Sequence, residues 1–201
     1  MQRLGAALVI ALMACSSPAR TPATPPPAGD AAVKEGAGWT RSEPGVWIFN
    51  LDEGRAPDFG LSASGTGQGF ERIDLPTGAH EAHVVKLSIA YSSAGPGKWT
   101  IVADEGGKPG EKVLAEIPIE ISADQIYEKT KAFVDHEVNG AVNGSFWVVF
   151  SDQVDNKADA ANIAALKDVD TQRLFYRGGP TTPLRPVAHL PFVRITLADV
   201  K

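Results

Sequence analysis

The side chains able to do chemistry are few, and most of the familiar constellations fail on spacing. The chain has 201 residues with four histidines and one cysteine. His80-Glu81-Ala82-His83 has the composition of a zinc-protease helix, but that site needs two imidazoles at i and i+4 on one helical face. Here the interval is three, and on a strand such residues point to opposite faces, so the pair reads as two solvated histidines beside a turn. His136 and His189 stand alone and read as surface or hydrogen-bonded residues. Gly65-Thr66-Gly67-Gln68-Gly69 lacks the further glycine and helix of a dinucleotide fingerprint, and the Lys-Ser/Thr of a phosphate loop. No Gly-x-Ser-x-Gly elbow occurs in the region. The lone cysteine, Cys15, excludes an internal disulfide and a multi-cysteine metal site.

Two patterns remain. Asp152, Asp155, Asp159, Asp168 and Asp170 bracket an Ala-rich segment. Such a cluster suits a solvated acidic surface, a Ca²⁺ ion held with loop carbonyls by Asp152, Asp155 and Asp159, or a carboxylate pair for glycoside hydrolysis. Its spacing matches no EF-hand, and no metal or other cofactor is expected ahead of the solvated reading. Trp39, Tyr127 and Tyr176 flank turns, where ring faces could stack on sugars; packing at the core or its rim competes with that role. Trp47, Trp99 and Trp147 sit within apolar runs and belong to the core.

The elements that must position these groups begin at residue 38. Ahead of it, Arg3 precedes an apolar run from Leu4 to Ala14. A helix of that length spans roughly 16 Å, too short to cross a bilayer but suited to a secretory signal. At its end, Leu12-Met13-Ala14-Cys15 resembles the lipobox of bacterial lipoproteins. The resemblance implies cleavage before Cys15, a diacylglyceryl group on its sulfur and acylation of the new amine. Each buried methylene then contributes about 0.8 kcal/mol, so two or three chains anchor firmly. Ser16, rather than Asp, after the cysteine implies by the same resemblance the outer membrane of a bacterial envelope. Pro18, Pro22, Pro25, Pro26 and Pro27 follow among small residues, a disordered tether reaching up to roughly 60 Å. The expected organisation is a signal peptide over 1–14, a lipidated cysteine and Pro/Ala/Thr-rich linker over 15–37, and a folded domain over 38–201.

Within that domain, Val46-Trp47-Ile48-Phe49 predicts a buried strand, residues 60–69 a loop, and 70–75 a further strand. Val85, Leu87, Ile89 and Tyr91 alternate with polar or small neighbours, as do Trp99, Ile101 and Ala103. Asp104-Glu105-Gly106-Gly107-Lys108-Pro109-Gly110 is dense turn chemistry. Val113, Ala115, Ile117, Ile119 and Ile121 predict one strand face, and Pro118 places that strand at an edge or a bulge. Ser122 and Gln125 have the spacing to cap one helical turn. Residues 131–138 and 146–151 predict a hairpin around Asn139-Gly140 and Asn143-Gly144. Residues 159–167 predict a short helix, while 173–176 and 191–197 complete the strands. About nine short strands in a chain with 20 glycines and 15 prolines make an all-β sandwich or barrel.

The run from Trp99 to Gly110 with Val113-Leu114-Ala115, and the later Asn143-Gly144-Ser145-Phe146-Trp147, resemble hairpins of bacterial extracellular jelly-roll modules. The resemblance implies a jelly-roll-like β-sandwich and carries little about activity. With 19 basic against 24 acidic residues, net charge −5, no nucleic-acid partner is expected. The expected function is a lipid-anchored, non-enzymatic envelope module that acts by interaction or support, its partners a membrane through the anchor and a glycan or envelope protein. Carbohydrate binding through Trp39, Tyr127 and Tyr176 is the alternative, and an envelope hydrolase the third reading. Cys15→Ala tests the anchor: the variant is expected to leave the membrane fraction and lose the mass of its acyl groups, and unchanged retention would refute lipidation.

Overall fold

Alternation of apolar and polar residues commits each strand to one buried face. Here it builds two six-stranded antiparallel sheets that share one core. The computed structural model describes residues 33–35, 38–62, 66–151, 160–169, 172–179 and 181–201. Cys15, the lipobox, most of the Pro-rich segment, and Asp152, Asp155, Asp159 and Asp170 lie outside the described residues. In chain order the strands are β1 (Val33–Glu35), β2 (Trp39–Glu43), β3 (Val46–Phe49), β4 (Phe59–Leu61), β5 (Gln68–Ile73), β6 (Ala82–Ile89), β7 (Tyr91–Ser93) and β8 (Gly95–Asp104). There follow β9 (Pro109–Ile121), the helical turn α1 (Tyr127–Thr130), β10 (Val134–Val142), β11 (Phe146–Ser151), β12 (Asn162–Lys167), β13 (Leu174–Arg177), β14 (Arg185–Pro186), β15 (His189–Pro191) and β16 (Val193–Ala198).

The first sheet has the order β1-β2-β3-β16-β6-β10, the second β14-β13-β5-β11-β8-β9. A third, short sheet runs β15-β12-β4, with β7 also paired to β12. The all-β sandwich is therefore as the sequence predicts. Pro118 lies on β9, which is an edge strand of the second sheet, where its missing N–H disrupts least. Val193, Ile195 and Leu197 are buried on one face of β16, as their alternation requires. In the β8–β9 turn, Gly106 and Gly107 adopt positive φ and the Gly107 N–H donates to Asp104 Oδ2 at 2.9 Å, which explains the Asp-x-Gly-Gly pattern.

Four expectations are corrected. Residues 162–167 form strand β12, not a helix, because their backbone pairs with β4, β7 and β15. The hairpin expected around Asn139-Gly140 does not form: β10 pairs with β6 in the first sheet, whereas β11 pairs with β5 and β8 in the second. Gly144, at φ +86°, instead turns the chain from one layer to the other. The run from Val85 to Tyr91 is not one strand. A bulge at Val85 shifts the phase, so Ala82 and Val84 share the core with Leu87 and Ile89, and after Ala90 the chain leaves the first sheet as β7. Finally, sixteen strands are described rather than nine; several, such as β1 inside the expected tether, have only three residues and leave no period to read.

One hydrogen-bonded chain crosses all three sheets. Trp99 Nε1 on β8 donates to Tyr91 Oη on β7 at 2.9 Å, and the same oxygen lies 2.8 Å from His136 Nε2 on β10. An indole N–H can only donate, and the tautomer with Nε2 bare is the one in which His136 accepts the phenol proton and no donor of the three is left unpaired. Burial pushes the His136 pKa down, against the opposing pull of Asp135, in keeping with a neutral ring. Burial also raises the Tyr91 phenol far above its ordinary value, with the Trp99 bond opposing it in part. Tyr91→Phe strands both the indole donor and the imidazole acceptor, and is expected to cost about 2–4 kcal/mol in urea unfolding monitored by tryptophan fluorescence.

Candidate functional site

The sequence Gln68-Gly69-Phe70-Glu71-Arg72-Ile73 forms β5 in the second sheet. Ile73 joins the core shared by the two sheets, so Glu71 and Gly69, two and four residues back, face the same way. Phe70 points to the other side, into a separate apolar cluster with Val102, Trp147 and Val149. Register places Gly69 between Phe150 of β11 and Tyr176 of β13, and Glu71 between Val148 and Leu174. Apart from its chain neighbours, no atom of the described residues lies within 4 Å of where a Gly69 Cβ would sit. The missing side chain leaves room, and a cavity of about 410 Å³ opens over this part of β5. Its other walls come from the third sheet, with Phe59, Leu61, Ile163 and His189, and from Trp99.

Glu71 is the anomaly in this apolar lining. It is only 5% exposed, and its Oε2 has no hydrogen-bond partner among the described residues. Burial pushes the Glu71 pKa up to about 8, with the positive charge of Arg173 pulling it partly back. The carboxyl is therefore largely protonated at neutral pH, able to donate and accept. Two further lining groups are buried and unpartnered among the described residues: Ser62 Oγ and His189 Nδ1. Ser, His and Glu are the residue types of an acyl-transfer triad. A triad, however, requires the imidazole to bond the nucleophile on one side and the carboxylate on the other, and here these three atoms bond neither one another nor anything else described. The arrangement leaves three buried polar atoms along one cavity without partners among the described residues.

The aromatic residues singled out in sequence separate cleanly. Trp39 is a correction. It is 2% exposed, its ring packs 5.2 Å from that of Phe49 and its Nε1 donates to the Asp74 carbonyl at 2.8 Å, so it has no face to offer a sugar. Tyr127 is half-buried on α1, against Phe133 and Phe192, and lines a second, more polar recess of about 480 Å³ with Asp58, Ser92 and Lys131. Tyr176 is 36% exposed and lines the first cavity, as does Phe59 at 39%. Phe59 borders both recesses. Trp47, Trp99 and Trp147 are core residues as expected. His83 lies 3.9 Å from Asp199, and Asp168 is exposed in a turn at φ +57°. Among the described residues no three metal-ligating side chains gather, and no helix is long and apolar enough to cross a membrane.

Glu71 and Gly69 escaped the sequence reading. The one available signal was a glutamate inside a short apolar strand, and it reads as the solvent face as long as Phe70 is taken to point inward.

No protein-family model matches the chain, and no curated protein matches it. Among solved structures, the cysteine protease and lectin-like domains of Cwp84, a surface layer associated protein of Clostridium difficile, superpose with a TM-score of 0.42 at 10% identity. That match covers 66% of this chain and 32% of the other, so the chain spans about a third of that protein.

The raised Glu71 pKa fixes a pH dependence. Folded Glu71 holds its proton up to about pH 8, whereas the unfolded carboxyl releases it near 4.5. The stability Glu71 contributes is thus fully present below pH 4.5 and is lost as pH rises through 8, at up to about 1.4 kcal/mol per pH unit. Glu71→Gln is expected to remove that slope: wild type should lose stability relative to the variant between pH 5 and 8, read as the difference in urea midpoints.

Proposed function

We propose that this chain is a lipid-anchored, non-catalytic binding module of the bacterial envelope, and that its working site is the cavity over Gly69 and Glu71. The observation that carries the binding role is a buried carboxyl with an unpartnered oxygen in an apolar cavity. Leaving such a group unpaired costs about 1–3 kcal/mol, a cost that a bound molecule with a matching polar atom would offset. The volume, about 410 Å³, falls in the lower part of the roughly 300–1,000 Å³ range of small-molecule sites. The anchor and the envelope location rest on the lipobox resemblance at Cys15 and on the prolines that follow it. The separation of Ser62, His189 and Glu71 from one another's hydrogen bonds favours binding over hydrolysis.

A second reading keeps the carbohydrate alternative at the cavity's rim, where Tyr176 and Phe59 present partly exposed rings. Of the three aromatics first considered, Tyr176 is the one that supports it.

The uncharged dye N-phenylnaphthylamine, which brightens in apolar surroundings, tests the main reading. Saturable one-to-one binding to the full chain, lost in Gly69→Leu, is the expected result. Hydrolysis of an ester panel that disappears in Ser62→Ala would replace binding with catalysis. Glycan binding that disappears in Tyr176→Ala, with no dye bound, would move the site to the rim.

A further inference from the structure

The chemistry of the lining narrows what the cavity can hold. Along the inner face of the second sheet, Tyr176, Gly69, Phe150 and Trp99 lie in one cross-strand row, and Leu174, Glu71, Val148 and Ile101 in the next. The first row offers aromatic surface on both sides of a residue with no side chain. The second offers hydrocarbon on both sides of a carboxyl. A guest lying over Gly69 thus has its body against rings and its end beside Glu71, within an enclosure that also holds Ser62 Oγ and His189 Nδ1 without partners.

The electrostatics exclude charged ends. Arg173 already places positive charge close enough to act on Glu71, so an ammonium group entering here is repelled and forces the buried carboxyl to ionise. A carboxylate end would shed its water in an apolar lining for the single hydrogen bond that a protonated Glu71 donates. An uncharged group that donates and accepts satisfies Glu71 whichever of its oxygens carries the proton.

We infer that the cavity binds a small, mostly apolar molecule, aromatic or aliphatic, that carries one uncharged hydroxyl or primary amide, with this polar end on Glu71 and its body over Gly69 between Tyr176 and Phe150. This deepens the binding reading above and rests on it. The selectivity comes from the polar end: a molecule of the same shape that cannot donate leaves a buried oxygen unpaired.

The test uses the full chain bearing Cys15→Ser, so that no detergent competes for the cavity, and follows tryptophan fluorescence and thermal midpoint. The probes are para-propylphenol, its methyl ether para-propylanisole, para-propylbenzylamine, and N-acetylglucosamine. The phenol is expected to bind saturably and at least about tenfold more tightly than the ether, and the amine and the sugar to bind worse than the ether. Glu71→Leu should erase the preference for phenol over ether while leaving both able to bind. Gly69→Leu should abolish binding of both and raise the thermal midpoint, with Gly69→Ala as a smaller filler if the larger one disturbs folding.

The outcomes separate the two levels. If phenol and ether bind, and filling at Gly69 blocks them, but the preference is absent or survives Glu71→Leu, the cavity stands and the assignment of the polar end is wrong. A preference for the amine likewise overturns the uncharged end alone. If binding persists in the filled variants, or no probe binds at all, the cavity reading falls and takes this inference with it.

Discussion

A single phenolic oxygen links side chains of all three sheets. Tyr91 Oη receives the Trp99 indole proton from the second sheet and lies against His136 of the first, while its own strand belongs to the third. All three partners are directional groups, so the bond fixes not only distance but the plane of the Trp99 ring. That ring packs 4.9 Å from Phe150, and both line the cavity. The shape of the floor is therefore set by a polar contact behind it. Apolar packing alone would allow either ring to slide into the space that Gly69 leaves, because cores tolerate repacking that preserves volume.

Two titratable groups, Glu71 buried and His136 half-buried, pull stability in opposite directions as pH changes. His136 has a depressed pKa in the fold, so its contribution is present above the unfolded value and lost as pH falls through the folded one. Glu71 has a raised pKa, so its contribution is present at low pH and lost as pH rises. Both structures require the neutral form: a protonated His136 cannot accept from Tyr91, and an ionised Glu71 faces an apolar cavity. The fold is best satisfied in the interval where neither group is charged, above the titration of one and below that of the other. The two requirements act on the same assembly, since Trp99 lies on the path between Tyr91 and the cavity.

The fold class was legible because alternation is a local signal. Val193, Ile195 and Leu197, the tryptophans of the apolar runs, and the turn chemistry of residues 104–110 all read correctly from single strands. What failed was information that no single strand contains. Asn139-Gly140 has the composition of a tight hairpin turn, yet it lies inside β10, where the pairing with β6 shifts register between Glu137 and Gly140, and the two runs expected to pair belong to different sheets. Residues 162–167, with two alanines, leucine and lysine, favour a helix intrinsically, but unpaired edges on both sides recruit them as a strand, and tertiary context overrides weak propensity. The bulge at Val85 moved a whole run of side chains by one position, the characteristic cost of a register shift.

Glu71 was invisible for a related reason. A strand with one covered face has one apolar set, and in β5 Phe70 declares it. The second sheet is covered on both faces near β5: Ile73 serves the inner core, while Phe70 and Trp147 serve an outer cluster that Phe175 and Leu184 help close. On such a strand, alternation cannot say which face is solvent, because neither is. Glu71 therefore sits where packing alone would favour valine or isoleucine, next to a glycine that removes volume from the same face. Each departure by itself weakens the sandwich, the glutamate through desolvation and the glycine through lost contacts. Together they make room and a polar group in one place, so the two departures from local consistency in β5 converge on one cavity.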